Sequence, residues 1–413
     1  MGETPLGPLQ THRRATRAKR RSDIRLAMNH VRLGFLVFVG SKSSDINQPL
    51  PLAMQQATCP IRLLSLLPLA RMQQAAAATV DGHATAGAPL KRQRIPIACA
   101  QDYEEICCLG VVSKARHRST GETVAIKRHR SSDGCNGELL REARFLDACN
   151  GLPFLVGYQG LARDRATAEL CLLTEYVGGP SLRDYLRGRR RGQGPPPPPL
   201  KEATVRAAMW QLLTAAQRMH ERRVVHRDIK PANILVGEDH RTVKICDLGL
   251  AMHASEPPPH AQAGTLAYMA PEVLLGRTDY DARVDTWSLG CVMAELLGGR
   301  PLFEGTDEVE QLWAIYEVLD TTDGHQQHDG LRELFPEETL SEDGFVVLSG
   351  LLAFNSSNRL TADAALRLPW FDNVGALALP KEEEAVSAPP SVLRKKKPLL
   401  IIPPPLPKKP KVF

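Results

Sequence analysis

The chain has 413 residues, of which 43% are hydrophobic and 24% charged, and it carries a net charge of +6. That length holds two or three average domains or one two-lobed enzyme with tails, in a composition typical of soluble globular chains. The positive charge sits in the first thirty residues, around Arg187–Arg191 and in the last twenty, which suits addressing or docking rather than a nucleic-acid-binding fold.

The nine cysteines are scattered and form no paired CxxC array, which argues against a zinc ribbon or a disulfide framework and for a reducing compartment. The apolar stretch Leu33–Val39 is far too short to span a bilayer and no cleavage pattern follows it. The Arg-rich start (Arg13, Arg14, Arg17, Lys19, Arg20, Arg21) reads as a solvated arm, with an organellar transit peptide as the alternative. Residues 1–100 show no sustained period and are expected to form a disordered basic, low-complexity extension. Met72 is an alternative start.

Periodic patterning begins near Tyr103. Thr123–Lys127 and Leu170–Tyr176 read as strands, and Glu138–Cys149 between them as a helix. The Gly/Arg segment from Gly188, closing on five prolines at Pro199, is a surface loop. Helical patterns follow at Glu202–Arg222, Asp285–Leu297, Asp307–Asp320, Phe345–Leu352 and Ala362–Leu366. A strand-rich part followed by a helix-rich part predicts two unequal lobes in an α+β fold. From Lys381 the chain turns acidic, then Pro/Lys-rich, and is expected to be disordered to residue 413.

One set of residues carries chemistry. In His226-Arg227-Asp228-Ile229-Lys230-Pro231-Ala232-Asn233, an Asp is followed by Lys two residues on and Asn five residues on. Phosphoryl transfer needs a carboxylate to orient the attacking hydroxyl, a cation near the γ-phosphate and an oxygen ligand for magnesium. Asp247 in Asp247-Leu248-Gly249 is a second hard carboxylate suited to Mg²⁺, and Ala270-Pro271-Glu272 follows it. Upstream, Lys127 ends Val-Ala-Ile-Lys, and Glu142 on the next helix is placed to pair with it.

With these motifs in this order, Tyr103 to about Phe371 resembles a eukaryotic protein kinase domain. Within that superfamily it is most similar to the cyclin-dependent kinases, and among those to the plant F type. The stretches Asp285–Leu296, Arg300–Phe303, Asp307–Leu312 and Asn358–Ala362 carry the narrower likeness. The resemblance implies a bilobal fold with a small β-rich lobe at about 103–176 and a larger helical lobe at about 178–371. It implies ATP and Mg²⁺ as cofactors and a protein hydroxyl as acceptor. Asp228 would be the base and Lys230 the γ-phosphate contact, with Asn233 and Asp247 holding Mg²⁺. Lys127, anchored by Glu142, would meet the α/β-phosphates. Gly110, Val112 and Ala125 would line the nucleotide cleft, with Thr174 at its back and the backbone of Glu175 and Val177 facing adenine. Glu272 and Arg359 would form a buried structural ion pair. Lys230 is the residue of serine/threonine kinases, so that class is preferred to tyrosine kinases.

The chain departs from the family at three places. The phosphate-covering loop is short: Tyr103–Gly110 runs at once into Val111-Val112-Ser113, so about five residues with two of three glycines are missing. Either the kinase works with a truncated cover, or it is a pseudokinase scaffold, or the coding sequence has lost a piece. In the activation segment, His260 stands where the family has a phosphorylatable Thr, upstream of Thr265, and Ser255 is the nearest substitute. Ala267 and Met269 replace residues that accompany proline-directed specificity. The helix bearing Glu142 keeps only Arg141-Glu142 of the family's cyclin-docking sequence, which weakens the expectation of a cyclin partner.

The basic runs Arg394–Lys397 and Pro407–Lys411 resemble nuclear import signals, giving a nuclear or cytoplasmic location. Ile402–Pro407 fits a polyproline ligand for an SH3- or WW-like partner. No membrane association and no direct nucleic-acid contact are expected.

Overall fold

The computed structural model describes residues 97–109, 111–128, 136–189, 199–319 and 329–380. The expectations for residues 1–96, Gly110, the proline-rich loop at 190–198 and everything from Lys381 lie outside the described residues.

The N-terminal lobe is a six-stranded sheet. Its strands are β1 (Ile97–Cys99), β2 (Tyr103–Cys108), β3 (Val112–His117), β4 (Thr123–Arg128), β5 (Tyr158–Arg163) and β6 (Leu170–Glu175), in the order β1-β5-β6-β4-β3-β2. All neighbours are antiparallel except β1, which runs parallel to β5 with Ile97 opposite Leu161. This first strand lies ahead of Tyr103, where the sequence pattern begins. At three residues it is too short to show a period, and its pairing is supplied by a strand some sixty positions away.

Strand alternation sorts the two faces of the sheet. Val124 and Ile126 of β4 point into a core with Ala100, Ala115, Ala162, Cys171 and Leu173, which leaves Ala125 and Lys127 on the opposite face. β6 is buried over its first four residues, as expected for a central apolar strand. Helix α1 (Gly137–Ala148) packs on this sheet through Leu139, Glu142, Ala143 and Leu146, a spacing of three, one and three that marks one helical face.

The C-terminal lobe is helical: β7 (Gly178–Ser181), α2 (Leu182–Gly188), α3 (Glu202–Glu221), β8 (Val224–Val225), β9 (Ile234–Gly237), β10 (Val243–Ile245), β11 (Met252–His253), α4 (Pro271–Leu274), α5 (Arg283–Gly298), α6 (Glu308–Leu319), α7 (Asp329–Leu334), α8 (Glu342–Leu351) and α9 (Ala362–Leu366). Caps set several boundaries. Ser341 Oγ accepts the Gly344 N–H at 3.3 Å, so α8 starts before the apolar run predicted from Phe345. Thr361 Oγ1 caps α9 in the same way at 3.1 Å. α5 ends at Gly299, whose φ of 73° is the left-handed turn that glycine accepts most readily.

From Val284 to Leu297, α5 is buried on every side, which is the signature of a central core helix. α3 and α8 lie against it. At Gly290 an added Cβ would come within 2.8 Å of Leu352 Cδ2, so only glycine lets α5 sit this close to the end of α8. Beyond α9 the chain doubles back as a strap. Leu377 and Leu379 are buried, the Leu379 N–H donates to His240 O at 3.0 Å, and Tyr185 Oη donates to Pro380 O at 2.8 Å.

Candidate active site

Strand β4 places Lys127 at the mouth between the lobes, and the buried face of α1 brings Glu142 to it. Lys127 Nζ donates to Glu142 Oε1 and Oε2 at 3.0 and 2.9 Å, and to Asp247 Oδ1 at 2.8 Å. Burial disfavours the ammonium, but the Glu142 and Asp247 carboxylates outweigh it and hold Lys127 above the ordinary lysine range. Burial also pushes Asp247 up, and the Lys127 charge more than reverses this, leaving Asp247 below the usual carboxylate range. The Asp247 backbone is left-handed, with φ of 66°. That single twist turns its carboxylate out of the β10 line toward Lys127.

Across the cleft lies the loop after β8. Asp228 is almost buried, and three side chains converge on it. Lys230 Nζ donates to Oδ2 at 2.7 Å, Asn233 Nδ2 donates to Oδ2 at 3.0 Å, and Thr265 Oγ1 donates to Oδ1 at 2.7 Å. Lys230 Nζ also reaches Thr265 Oγ1 at 2.7 Å, which closes a small ring of hydrogen bonds. A cavity of about 370 Å³ opens beside these groups, bounded by Lys127, Glu142, Asp228 and Asp247.

This loop is seated from below by a residue whose role the sequence reading missed. Asp285, at the start of α5, is wholly buried. Its Oδ2 accepts the His226 N–H at 2.9 Å and its Oδ1 the Arg227 N–H at 2.8 Å, while His220 Nε2 lies 2.8 Å from Oδ2. Burial pushes its carboxyl up, but the hydrogen bond and charge of His220 bring it below the usual carboxylate range. The available signal was a carboxylate near the start of a largely apolar helical stretch, where a buried charge needs partners. Arg227 takes a left-handed backbone (φ 70°) so that both N–H groups can point at one carboxylate.

The sheet side of the cleft is built from β3, β4 and β6. Ala125 is paired with Thr174 and Val112 with Lys127, so these residues share one face or its edge. Glu175 ends β6; its side chain is held by Lys244 Nζ at 2.5 Å and by the Gly157 N–H at 3.1 Å. Its own N–H is bonded to Gly157 O at 2.9 Å. Val177 follows directly, between β6 and β7.

The β2–β3 hairpin closes through one tight turn, with the Leu109 N–H donating to Val112 O at 2.7 Å and Cys108 opposite Ser113. Leu109 is 55% and Val111 75% exposed, so neither side chain at this turn packs into the core. Further along, Ser255 is exposed and accepts from Arg223 Nη1 at 3.0 Å. Arg359 grips Glu272 with two bonds of 2.7 and 2.8 Å, and both residues are buried. The fork also donates to Ala353 O and Arg283 O, so every face of the guanidinium is used.

A family model described as "Protein kinase domain" matches residues 108–371. The rice (Oryza sativa subsp. japonica) protein named "Putative cyclin-dependent kinase F-2" is 44% identical over 288 residues, which cover 63% of this chain and 86% of that protein. "Cell division control protein 2 homolog 3" of Trypanosoma brucei brucei is 37% identical over 287 residues, 64% of this chain and 88% of that protein. "Cyclin-dependent kinase G-2" of Oryza sativa subsp. indica is 34% identical over 303 residues, 67% of this chain but only 41% of that longer protein.

Proposed function

The chain belongs to the protein kinase family, as a cyclin-dependent-kinase-like serine/threonine kinase that moves the γ-phosphoryl group of ATP to protein hydroxyls, and on that premise we propose how its residues share the work. Asp228 orients the acceptor hydroxyl and takes its proton. Lys230, already bridging Asp228 and Thr265, swings little to meet the γ-phosphoryl oxygens. Lys127 holds the α/β-phosphates, and Glu142 fixes its ammonium in place. The backbone of Glu175 and Val177 receives adenine, with Thr174, Ala125 and Val112 around it.

The donor set fits magnesium. Asn233 spends its amide nitrogen on Asp228 O and Oδ2, which leaves its side-chain oxygen for a cation, and Asp247 offers the second hard oxygen. Among the described residues no cluster of three or more His, Cys, Asp or Glu forms a closed metal cage. Two protein oxygens suit an ion that keeps water and phosphate oxygens as its other ligands. When bound, Mg²⁺ would neutralise phosphate charge; the positioning belongs to the residues named above.

The observation that carries this reading is Lys127 bound at once to Glu142 and Asp247 across from a seated Asp228. The short hairpin removes N–H donors from above the phosphates but touches none of these groups, so it weakens ATP binding and leaves the transfer chemistry intact. The test is Mg·ATP-dependent phosphorylation of a basic protein by the full chain beside Asp228→Asn. The variant should lose on the order of 10²- to 10⁴-fold in kcat, as for removal of a general base. Transfer that is equal in both proteins would overturn the assignment of Asp228, and transfer absent from both even with a full-length glycine loop would replace this reading with a scaffold.

Partner and location follow in the same spirit. A cyclin would meet α1 on a face that exposes Arg141, Arg144, Asp147 and Ala148, which is charged rather than apolar. Among the described residues no helix is long and apolar enough to cross a membrane. Nuclear entry through the basic runs at 394–411 is tested by a fluorescent fusion lacking them. The polyproline ligand at Ile402–Pro407 is tested by SH3 and WW array binding.

A further inference from the structure

Arg227 lies next to Asp228 and lines the cavity, yet its guanidinium pairs with no carboxylate among the described residues. Its Nε donates to Leu250 O at 2.7 Å, and its Nη1 to Tyr280 Oη at 3.0 Å and Ala261 O at 3.4 Å. Among the described residues no carboxylate lies within ion-pair distance of it. A half-buried cation is therefore balanced by two backbone carbonyls and one phenol, all neutral. Tyr280 is the keystone of that group. It is 6% exposed, and its hydroxyl, while accepting from Arg227, donates to Ala261 O at 2.5 Å. Its ring packs against His260 with centroids 5.2 Å apart, and the His260 N–H is tied to Thr278 O at 2.8 Å.

A second anchor lies three residues on. Gly264 has φ of +119°, and a Cβ there would sit 2.7 Å from Arg227 O, so the segment lies directly on the Arg227 backbone. Between the anchors run Ala261 to Gly264, and the next residue is Thr265, whose hydroxyl touches Asp228 and Lys230. The two anchors thus decide where Thr265 meets the reacting groups.

We infer that Tyr280 is a positioning residue for phosphoryl transfer: through Arg227 and Ala261 it clasps the activation segment onto the Asp228 loop, and the segment needs no added phosphate to hold that place. His260 fits this arrangement, since it offers the clasp a ring to pack on and no hydroxyl to modify. The inference rests on the reading of Asp228 as the base, so its test includes a measurement that does not depend on turnover.

The full chain, treated with a Ser/Thr phosphatase and freed of it, is compared with Tyr280→Phe and with Tyr280→Phe/His260→Glu. Hydrogen exchange is followed over residues 254–265, with kcat and KM for ATP measured in parallel. The phosphate-free wild type should keep its protection and its turnover. Tyr280→Phe, which retains the ring, should exchange about tenfold faster in this segment and lose about tenfold in kcat, the worth of a hydrogen bond or two, with KM for ATP within twofold. The carboxylate at position 260 should restore both by giving Arg227 a charged partner. Loss of protection in the phosphatase-treated wild type would overturn the inference. So would unchanged exchange in Tyr280→Phe, or a defect that His260→Glu leaves untouched. Wild-type protein with a protected segment but no transfer would instead overturn the assignment of Asp228 and leave the clasp standing.

Discussion

The β2–β3 hairpin and the Asp228 loop are held by opposite means. The hairpin rests on one turn hydrogen bond and a strand ladder interrupted at Ile106, and its apolar side chains at 106, 109 and 111 are exposed. The Asp228 loop rests on a buried carboxylate that fixes two consecutive N–H groups, and that carboxylate belongs to a helix buried on all sides. A cover made of backbone can lose residues and still close as a shorter turn. A seat made of a buried charge cannot lose one member without stranding the others. The difference explains how a shortened loop coexists with a complete set of chemical groups.

The sharpest way to break the comparison is at the seat. Asp285→Ala strands the N–H groups of His226 and Arg227 together with His220, and should cost about 3–5 kcal/mol of stability, read as a shift in denaturant midpoint. An effect below about 1 kcal/mol, on the same scale, would mean that the loop does not depend on its seat. At the cover the effect should be smaller and of another kind. Inserting five residues of the Gly-x-Gly-x-x type after Leu109 should lower KM for ATP by about tenfold, the worth of one or two N–H bonds to phosphate, with kcat changed less than threefold. A rise in kcat alone would show that the short hairpin limits chemistry rather than binding. Smallest of all, Val111→Ser at the exposed tip should shift stability by no more than about 0.5 kcal/mol, measured by thermal melting.

The same contrast governed what could be read from the sequence. β4, α1 and α9 were legible because their own residues alternate or recur at helical spacing, and the α9 bounds agree to the residue. Lys127, Asp228, Asn233 and Asp247 were singled out because phosphoryl transfer calls for those residue types, and the fold brings Lys127 to Asp247 and Asn233 to Asp228. β1, β8 and β10 are two or three residues long and exist only through their partners, so no local pattern announces them. Asp285 and Tyr280 escaped for a related reason. A carboxylate at a helix start and a tyrosine in a loop are common, and what makes these two matter is which N–H and C=O groups the fold delivers to them.

The strap after α9 carries buried packing beyond the stretch that matches the family. The family match closes at residue 371, yet Leu377 and Leu379 are as deeply buried as residues of the helical core. Together they contribute roughly 3–6 kcal/mol of apolar burial. A terminus cut at 371 would strip that contribution and open a greasy scar beside Tyr185 and His240. A terminus at Pro380 would not. The short hydrophobic clip is thus held to the same packing rules as the interior, although it lies outside the region the family shares.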